Sequence, residues 1–197
     1  PFGFDFPYFG QLYNGVYVSL HGWCSFANPG NPRQSATARP NNVPIDQAPF
    51  DDFIAVYWDQ LYQTTSNGQV FKKPLTLPML GLVIQWADVQ LIQGNLNTSA
   101  LFQVIFWENG DINFNYTSYT PGAIYANGAS ATIGLKGGAT QFLSYGFNQL
   151  VLPFDGFGIL FTRTEPDRPP KVGIGPANPT TLEEFPYTNT AKAVLQF

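Results

Sequence analysis

From Gln103 to Tyr116 the chain reads QVIFWENGDINFNY, two alternating apolar and polar runs on either side of Asn109-Gly110. Asn-Gly suits a two-residue hairpin turn in which both central residues take positive φ. That turn predicts Trp107 facing Ile112, Ile105 facing Phe114 and Gln103 facing Tyr116, with Val104 and Phe106 opposite Asn115 and Asn113 on the other side. One face is then strongly apolar and the other mixed, the pattern of an antiparallel sheet lying on a core.

The same alternation recurs along the chain. Leu12 to Phe26, LYNGVYVSLHGWCSF, predicts a hairpin with His21-Gly22 at its turn. In that register Val18, Leu20 and Trp23 share one face, and Tyr17, Ser19, Cys24 and Phe26 the other. Asn28 to Pro49 is rich in Pro, Asn, Ser and Ala and reads as a long irregular loop, tied down or functional. Phe53 to Trp58 is a short buried strand, and Leu80 to Leu91 a longer one bent near Ala87-Asp88. Gln63 to Lys73 is a polar connection around Asn67-Gly68 that suits a smaller hairpin. Further strands are expected at Ser130 to Leu135, Phe142 to Phe147 and Gly158 to Thr164, and a helical turn at Ile45 to Phe50 and at Thr181 to Phe185. Many short strands, Gly and Pro turns and almost no helix predict an all-β, antiparallel β-sandwich with long loops.

Composition shifts after Thr164, which divides the chain into a sandwich over residues 1–164 and a Pro-rich extended tail over 165–197. The tail holds Pro166, Pro169, Pro170, Pro176, Pro179 and Pro186, a density that favours extended, semi-rigid chain. Strand-like alternation returns in Ala191 to Phe197, AKAVLQF. Ala191, Val194, Leu195 and Phe197 need an apolar partner, which is either the chain's own sandwich or the open sheet edge of a neighbour.

Charged residues are only 11% of the 197, against roughly 25% in ordinary globular proteins. Such a surface relies on Asn, Gln, Ser and Thr for solvation and is commoner outside the cell. The net charge of −4 and nine scattered Lys and Arg offer no basic footprint for nucleic acid. No apolar run reaches the 18 or so residues of a spanning helix, so membrane insertion is not expected. The opening Pro1-Phe2-Gly3 is not an ordinary translation start, which points to a mature or excised chain.

The residues that could carry chemistry are few. A single histidine and a single cysteine exclude multi-His and zinc-thiolate centres, and Cys24, unable to form an intrachain disulfide, reads as a small buried apolar residue or as half of an intermolecular disulfide. A Cys24–His21 nucleophile pair would need the imidazole turned toward the thiol, and no acid–base pair completes a hydrolase, so no catalytic residue is assigned. Asp51, Asp52 and Asp59 flank the Phe53–Trp58 strand and could gather into a calcium site, with Asp88 beyond them, against the plainer reading of strand caps. Calcium is the only cofactor the chain suggests. Glu108 and Asp111 flank the Asn-Gly turn, where turn chemistry explains them. Asn97 and Asn115 head glycosylation sequons. Thirty-two aromatic side chains, eighteen Phe, ten Tyr and four Trp, exceed what one core needs. Tyr8, Phe9, Tyr13, Tyr17, Trp58, Trp86 and Trp107 could therefore line a sugar-stacking platform, although large rings also dominate sandwich interiors.

Five segments, in order, resemble the nidogen-type NIDO domain and its bacterial extracellular relatives: Phe6 to Phe26 (FPYFGQLYNGVYVSLHGWCSF), Ile54 to Gln60 (IAVYWDQ), Val83 to Gln90 (VIQWADVQ), Phe102 to Tyr116 (FQVIFWENGDINFNY) and Ala131 to Gly137 (ATIGLKG). The resemblance spans Phe4 to Thr164; His21, Val56 and Gln60 depart from it, standing where the family has Asn, Pro and Asp. It implies an extracellular, cell-surface, non-catalytic module of adhesion, matrix and surface proteins, with no defined ligand. Two functions follow as expectations. One is a structural or adhesive module with protein partners, up to a homopolymeric filament joined by its tail. The other is a carbohydrate-binding accessory module, whose glycan binding would weaken when Trp58 or Trp86 becomes Ala.

Overall fold

The structure is a computed structural model. It describes residues 1–28, 41–62, 69–91, 99–117, 127–149, 151–152 and 156–163, and the backbone of 118, 171–176 and 193–194. Fifteen strands are described: β1 (Phe6–Tyr8), β2 (Gln11–Tyr13), β3 (Tyr17–Val18), β4 (Trp23–Ser25), β5 (Phe53–Trp58), β6 (Leu61–Tyr62), β7 (Gln69–Leu75), β8 (Gly81–Leu91), β9 (Ser99–Trp107), β10 (Ile112–Ser118), β11 (Thr132–Gly138), β12 (Gln141–Phe147), β13 (Phe157–Thr162), β14 (Lys171–Pro176) and β15 (Ala193–Val194). One 3-10 turn, Ile45–Gln47, falls inside the stretch expected to hold a helical turn. The expected turn at Thr181 to Phe185 lies outside the described residues.

These strands form an antiparallel sandwich. The larger sheet has eight strands in the order β15-β14-β13-β10-β9-β8, and β8 is flanked on its far side by both β6 and β7. Its partner is a five-stranded sheet, β12-β11-β5-β4-β3, and β1 and β2 form a separate hairpin. Every pairing is antiparallel. β6 and β7 each pair with β8; residues 63–68, which hold the turn of the hairpin expected around Asn67-Gly68, lie outside the described residues. β14 adds to the edge of the larger sheet through six consecutive pairs with β13. The Pro-rich stretch therefore contributes a strand to the sandwich body.

Both predicted hairpins exist, each one residue out of the expected register. Trp107 N–H donates to the Asp111 carbonyl and Gly110 N–H to the Trp107 carbonyl, which leaves a three-residue loop, Glu108-Asn109-Gly110. Gly110 alone in that loop has positive φ, +92°. This is a turn followed by a left-handed glycine, the next most common hairpin after the two-residue kind. Phe106 consequently pairs with Ile112, Val104 with Phe114 and Gln103 with Asn115. A one-residue slip exchanges the faces. Phe102, Val104 and Phe106 join Ile112, Phe114 and Tyr116 on the core side, and Gln103, Ile105 and Trp107 turn outward with Asn113 and Asn115. The slip makes the inner face wholly apolar, which the expected register does not. In the first hairpin Ser19 N–H donates to the Trp23 carbonyl across Leu20-His21-Gly22, with Gly22 at φ +76°. Val18 therefore pairs with Cys24, and Trp23 faces away from the main core.

Two bulges keep apolar residues on the inner face. In β5 the N–H groups of Val56 and Tyr57 both donate to the Gly22 carbonyl, so Ile54, Val56 and Tyr57 all reach the main core. In β8 the register shifts between Trp86 and Val89, with Asp88 at φ +55°, at the bend expected near Ala87-Asp88. There the inward set changes from Leu82, Ile84 and Trp86 to Val89 and Leu91. A bulge inserts one residue and shifts the alternation by one. The outer face of β5 is covered too: Phe53, Ala55 and Trp58 pack with Trp23, Ile45, Ala48, Val43 and Phe50. This second core explains why FIAVYW is apolar on both sides, and it shows that residues 41–50 of the long loop are held down.

Candidate interaction surface

Several of the polar groups that could do chemistry hold the sandwich together. β5 is six residues long, and at about 3.3 Å per residue it sets Asp52 and Asp59 roughly 20 Å apart at its opposite ends. The three aspartates expected to gather for calcium therefore do not converge. Asp51 is exposed and 3.4 Å from the Lys136 ammonium. Asp52 accepts from the Tyr13 hydroxyl, and burial raises its carboxyl pKa. Asp59 is buried and accepts from Ser130 Oγ at 2.5 Å and from Gln60 N–H at 2.7 Å. Burial raises its pKa and the two hydrogen bonds pull it back. Asp88 lies on the β8 bulge, exposed. Among the described residues no three His, Cys, Asp or Glu side chains come together as a metal site.

Around Asp59 the small sheet is stitched to its covering loop. Asn42 Nδ2 faces the Ser130 carbonyl at 2.9 Å, Thr132 Oγ1 at 3.1 Å and Asn148 Oδ1 at 2.9 Å, while Thr132 Oγ1 donates to the Val43 carbonyl. Lys136, itself buried, donates from Nζ to the Ala48 carbonyl at 2.8 Å. Nothing in the sequence singles out Asn42, Ser130 or Lys136, because their partners lie about ninety residues away along the chain. Three buried rings tie the layers in the same way. Tyr8 OH donates to the Phe53 carbonyl, Tyr116 OH to the Val56 carbonyl and Trp86 Nε1 to the Ser19 carbonyl.

Cys24 is wholly buried, and burial pushes its thiol pKa up. His21 sits in the hairpin loop with its pKa lowered by burial, and without the positive φ expected of it. Glu108 and Asp111 act as turn residues. Asp111 accepts from Asn109 Nδ2 and from the Arg163 N–H, each at 2.9 Å. Trp58, Trp86, Trp107 and Tyr8 are all buried, so the expected sugar-stacking row does not form from them; of the seven candidate rings only Tyr17 is exposed. The rings lie inward because three clusters are filled: Tyr8 and Trp86 in the main core, Trp58 in the second, and Trp107 with Val83 and Ile105 in a third. Asn115 is 2% exposed in the middle of the larger sheet, where a glycan could not be seated in the folded chain. Asn97 lies outside the described residues, as do Ala191, Leu195 and Phe197. Val194 pairs with Gly173 and Ala193 with Ile174, at the edge of the chain's own larger sheet.

Several large apolar side chains are exposed at edges and turns. Leu77, at the β7–β8 turn, is 82% exposed and Leu12, on the first hairpin, 69%. Tyr17, Leu20, Tyr62 and Phe71 are exposed where the two sheets end near one another. Between those ends runs an open cleft of about 220 Å³ lined by Pro1, Val16, Val18, Val70, Phe71, Lys72, Leu82 and Ile84. It exists because β3 has two residues and cannot cover the inner face of β7 and β8 beside it. No helix among the described residues is long and apolar enough to cross a membrane.

The described residues form an antiparallel β-sandwich in which Asp59, Asp111 and Lys136 bond to the framework itself. The family model described as NIDO related matches residues 1–150, most of the chain, and the chain belongs to that family. No curated protein and no solved structure matches it.

Proposed function

We propose that this chain is a non-catalytic structural or adhesion module of the cell surface that works through protein–protein contacts, and that copies of it join into a filament through their C-terminal residues. The observation that carries this reading is the placement of large apolar side chains, Leu12, Leu77, Tyr62 and Phe71, on exposed rims of a chain that is poor in charge. Exposed apolar side chains grouped at edges suit a macromolecular partner better than a small solute. The absence of catalysis is part of the proposal. It is supported by the use of Asp59, Asp111 and Lys136 as structural ties.

Two residues of pairing hold β15 to β14 in its own chain. In a filament the same segment would be exchanged between copies, a low-cost route to assembly. Removing residues 191–197 and measuring assembled mass by light scattering tests the reading. Assembly should fall to single subunits, and unchanged assembly overturns the filament.

A further inference from the structure

The cleft at the open side of the sandwich has walls of two kinds. Its floor and far wall are aliphatic: Leu82, Ile84, Val70, Val16 and Val18. Lys72 also lines it, exposed and without an ion-pair partner among the described residues. Lys72 pairs with Ile84, so its side chain belongs to the inner face of β7, facing the gap that the short β3 leaves uncovered. A cation beside an aliphatic trough selects an occupant with a carboxylate flanked by apolar side chains. Edge backbone is also available. Among the described strands β3 is the last of its sheet, and β7 pairs only with β8.

Two compact runs of the chain have that chemistry: Phe50-Asp51-Asp52-Phe53, whose phenylalanines are packed in the second core, and Leu182-Glu183-Glu184-Phe185. The latter lies in the sixteen residues, 177–192, that separate β14 from β15. Both ends of that stretch are tethered to paired strands, so at up to about 3.5 Å per residue its middle can reach roughly 28 Å from them. Its starting point matters as much as its reach. β14, next to the β15 edge, and β7, at the other edge of the larger sheet, are five strand spacings or about 24 Å apart. An arm leaving one edge and a receptor on the other make a head-to-tail contact, which propagates from copy to copy instead of closing on itself as a two-fold dimer does.

We propose that the β3–β7 cleft of one copy receives the Leu182–Phe185 run of the next, with the Glu183 and Glu184 carboxylates at Lys72 and the flanking apolar side chains over Leu82 and Ile84. This rests on the filament reading above and names its receptor. The test uses full-length chains with exposed charges reversed, which spares the core. Lys72→Glu alone should lower assembled mass in light scattering, and Glu183→Lys with Glu184→Lys should do the same. Mixing the two variant populations should restore assembly, because each acidic cleft then meets a basic arm from a different chain. Circular dichroism melting of each variant checks that the fold persists. Wild-type assembly by either variant alone overturns the proposal, and so does a mixture that stays unassembled. If these variants leave assembly unchanged while loss of residues 191–197 abolishes it, the filament reading stands and this receptor is wrong.

Discussion

The Gly22 carbonyl oxygen accepts hydrogen bonds from both Val56 at 3.1 Å and Tyr57 at 2.9 Å. The chains approach so closely here that a β-carbon on Gly22 would overlap the Tyr57 carbonyl. One glycine thus shapes the first hairpin, the β5 bulge and, through that bulge, the sharing of residues between two cores.

Gly22→Ala should therefore be among the most damaging single-methyl changes, at about 2–4 kcal/mol, because neither backbone can yield and φ is positive. Gly10→Ala is the control: it also has positive φ but nothing within 4 Å of the added carbon, so about 1 kcal/mol is expected. Urea titration of both variants compares them, and equal midpoints would refute the close approach.

Asp59 supplies a pH dependence with a defined sign. Its folded pKa is raised above the ordinary 3.8 by burial. The folded chain therefore holds this proton more tightly than the unfolded chain does. Its stabilising contribution is complete below 3.8 and is lost as pH rises through the folded value. Asp59→Asn removes that titration, so stability relative to wild type should improve steadily from acid toward neutral pH. A difference that is flat, or of opposite slope, in denaturant melts across that window would contradict the assignment.

Lys136→Met should loosen the cover over the second core. It leaves the Ala48 carbonyl without its donor, a loss of about 1–3 kcal/mol. Cleavage by a protease within residues 41–50 should accelerate before global unfolding does. Cleavage at the wild-type rate would show that Lys136 does not anchor this segment.

Cys24 should resist thiol reagents in the native chain, since it is wholly buried and its thiolate is disfavoured. Labelling by a maleimide should track global unfolding in urea. Rapid labelling without denaturant would mean that β4 opens locally, and would make an intermolecular disulfide feasible in the folded chain.

Much of the fold follows from period-two alternation and turn residues. β5 spans the expected Phe53–Trp58, and β12 begins at Gln141, one residue before the expected Phe142–Phe147. Hairpin register was out of reach. Asn-Gly and His-Gly each suit a two-residue turn, yet both chains use three loop residues with glycine alone in the left-handed region. The local preference of a turn is a small energy, and turning a whole face of Phe and Val toward the core outweighs it. The candidate metal site failed for a related reason. Proximity in sequence suggested three neighbouring aspartates, and an extended strand pulled them apart.

By itself the sequence determined that the chain is an antiparallel, all-β sandwich with scarce charge, because alternation and composition act locally and survive any choice of register. Only the tertiary structure decided which aromatics are core, which polar groups are ties and where an open cleft remains. Those outcomes depend on bulges, on three-residue turns and on a five-stranded sheet too narrow to cover an eight-stranded one. Each of them arises from contacts between residues far apart along the chain, where no local pattern reaches.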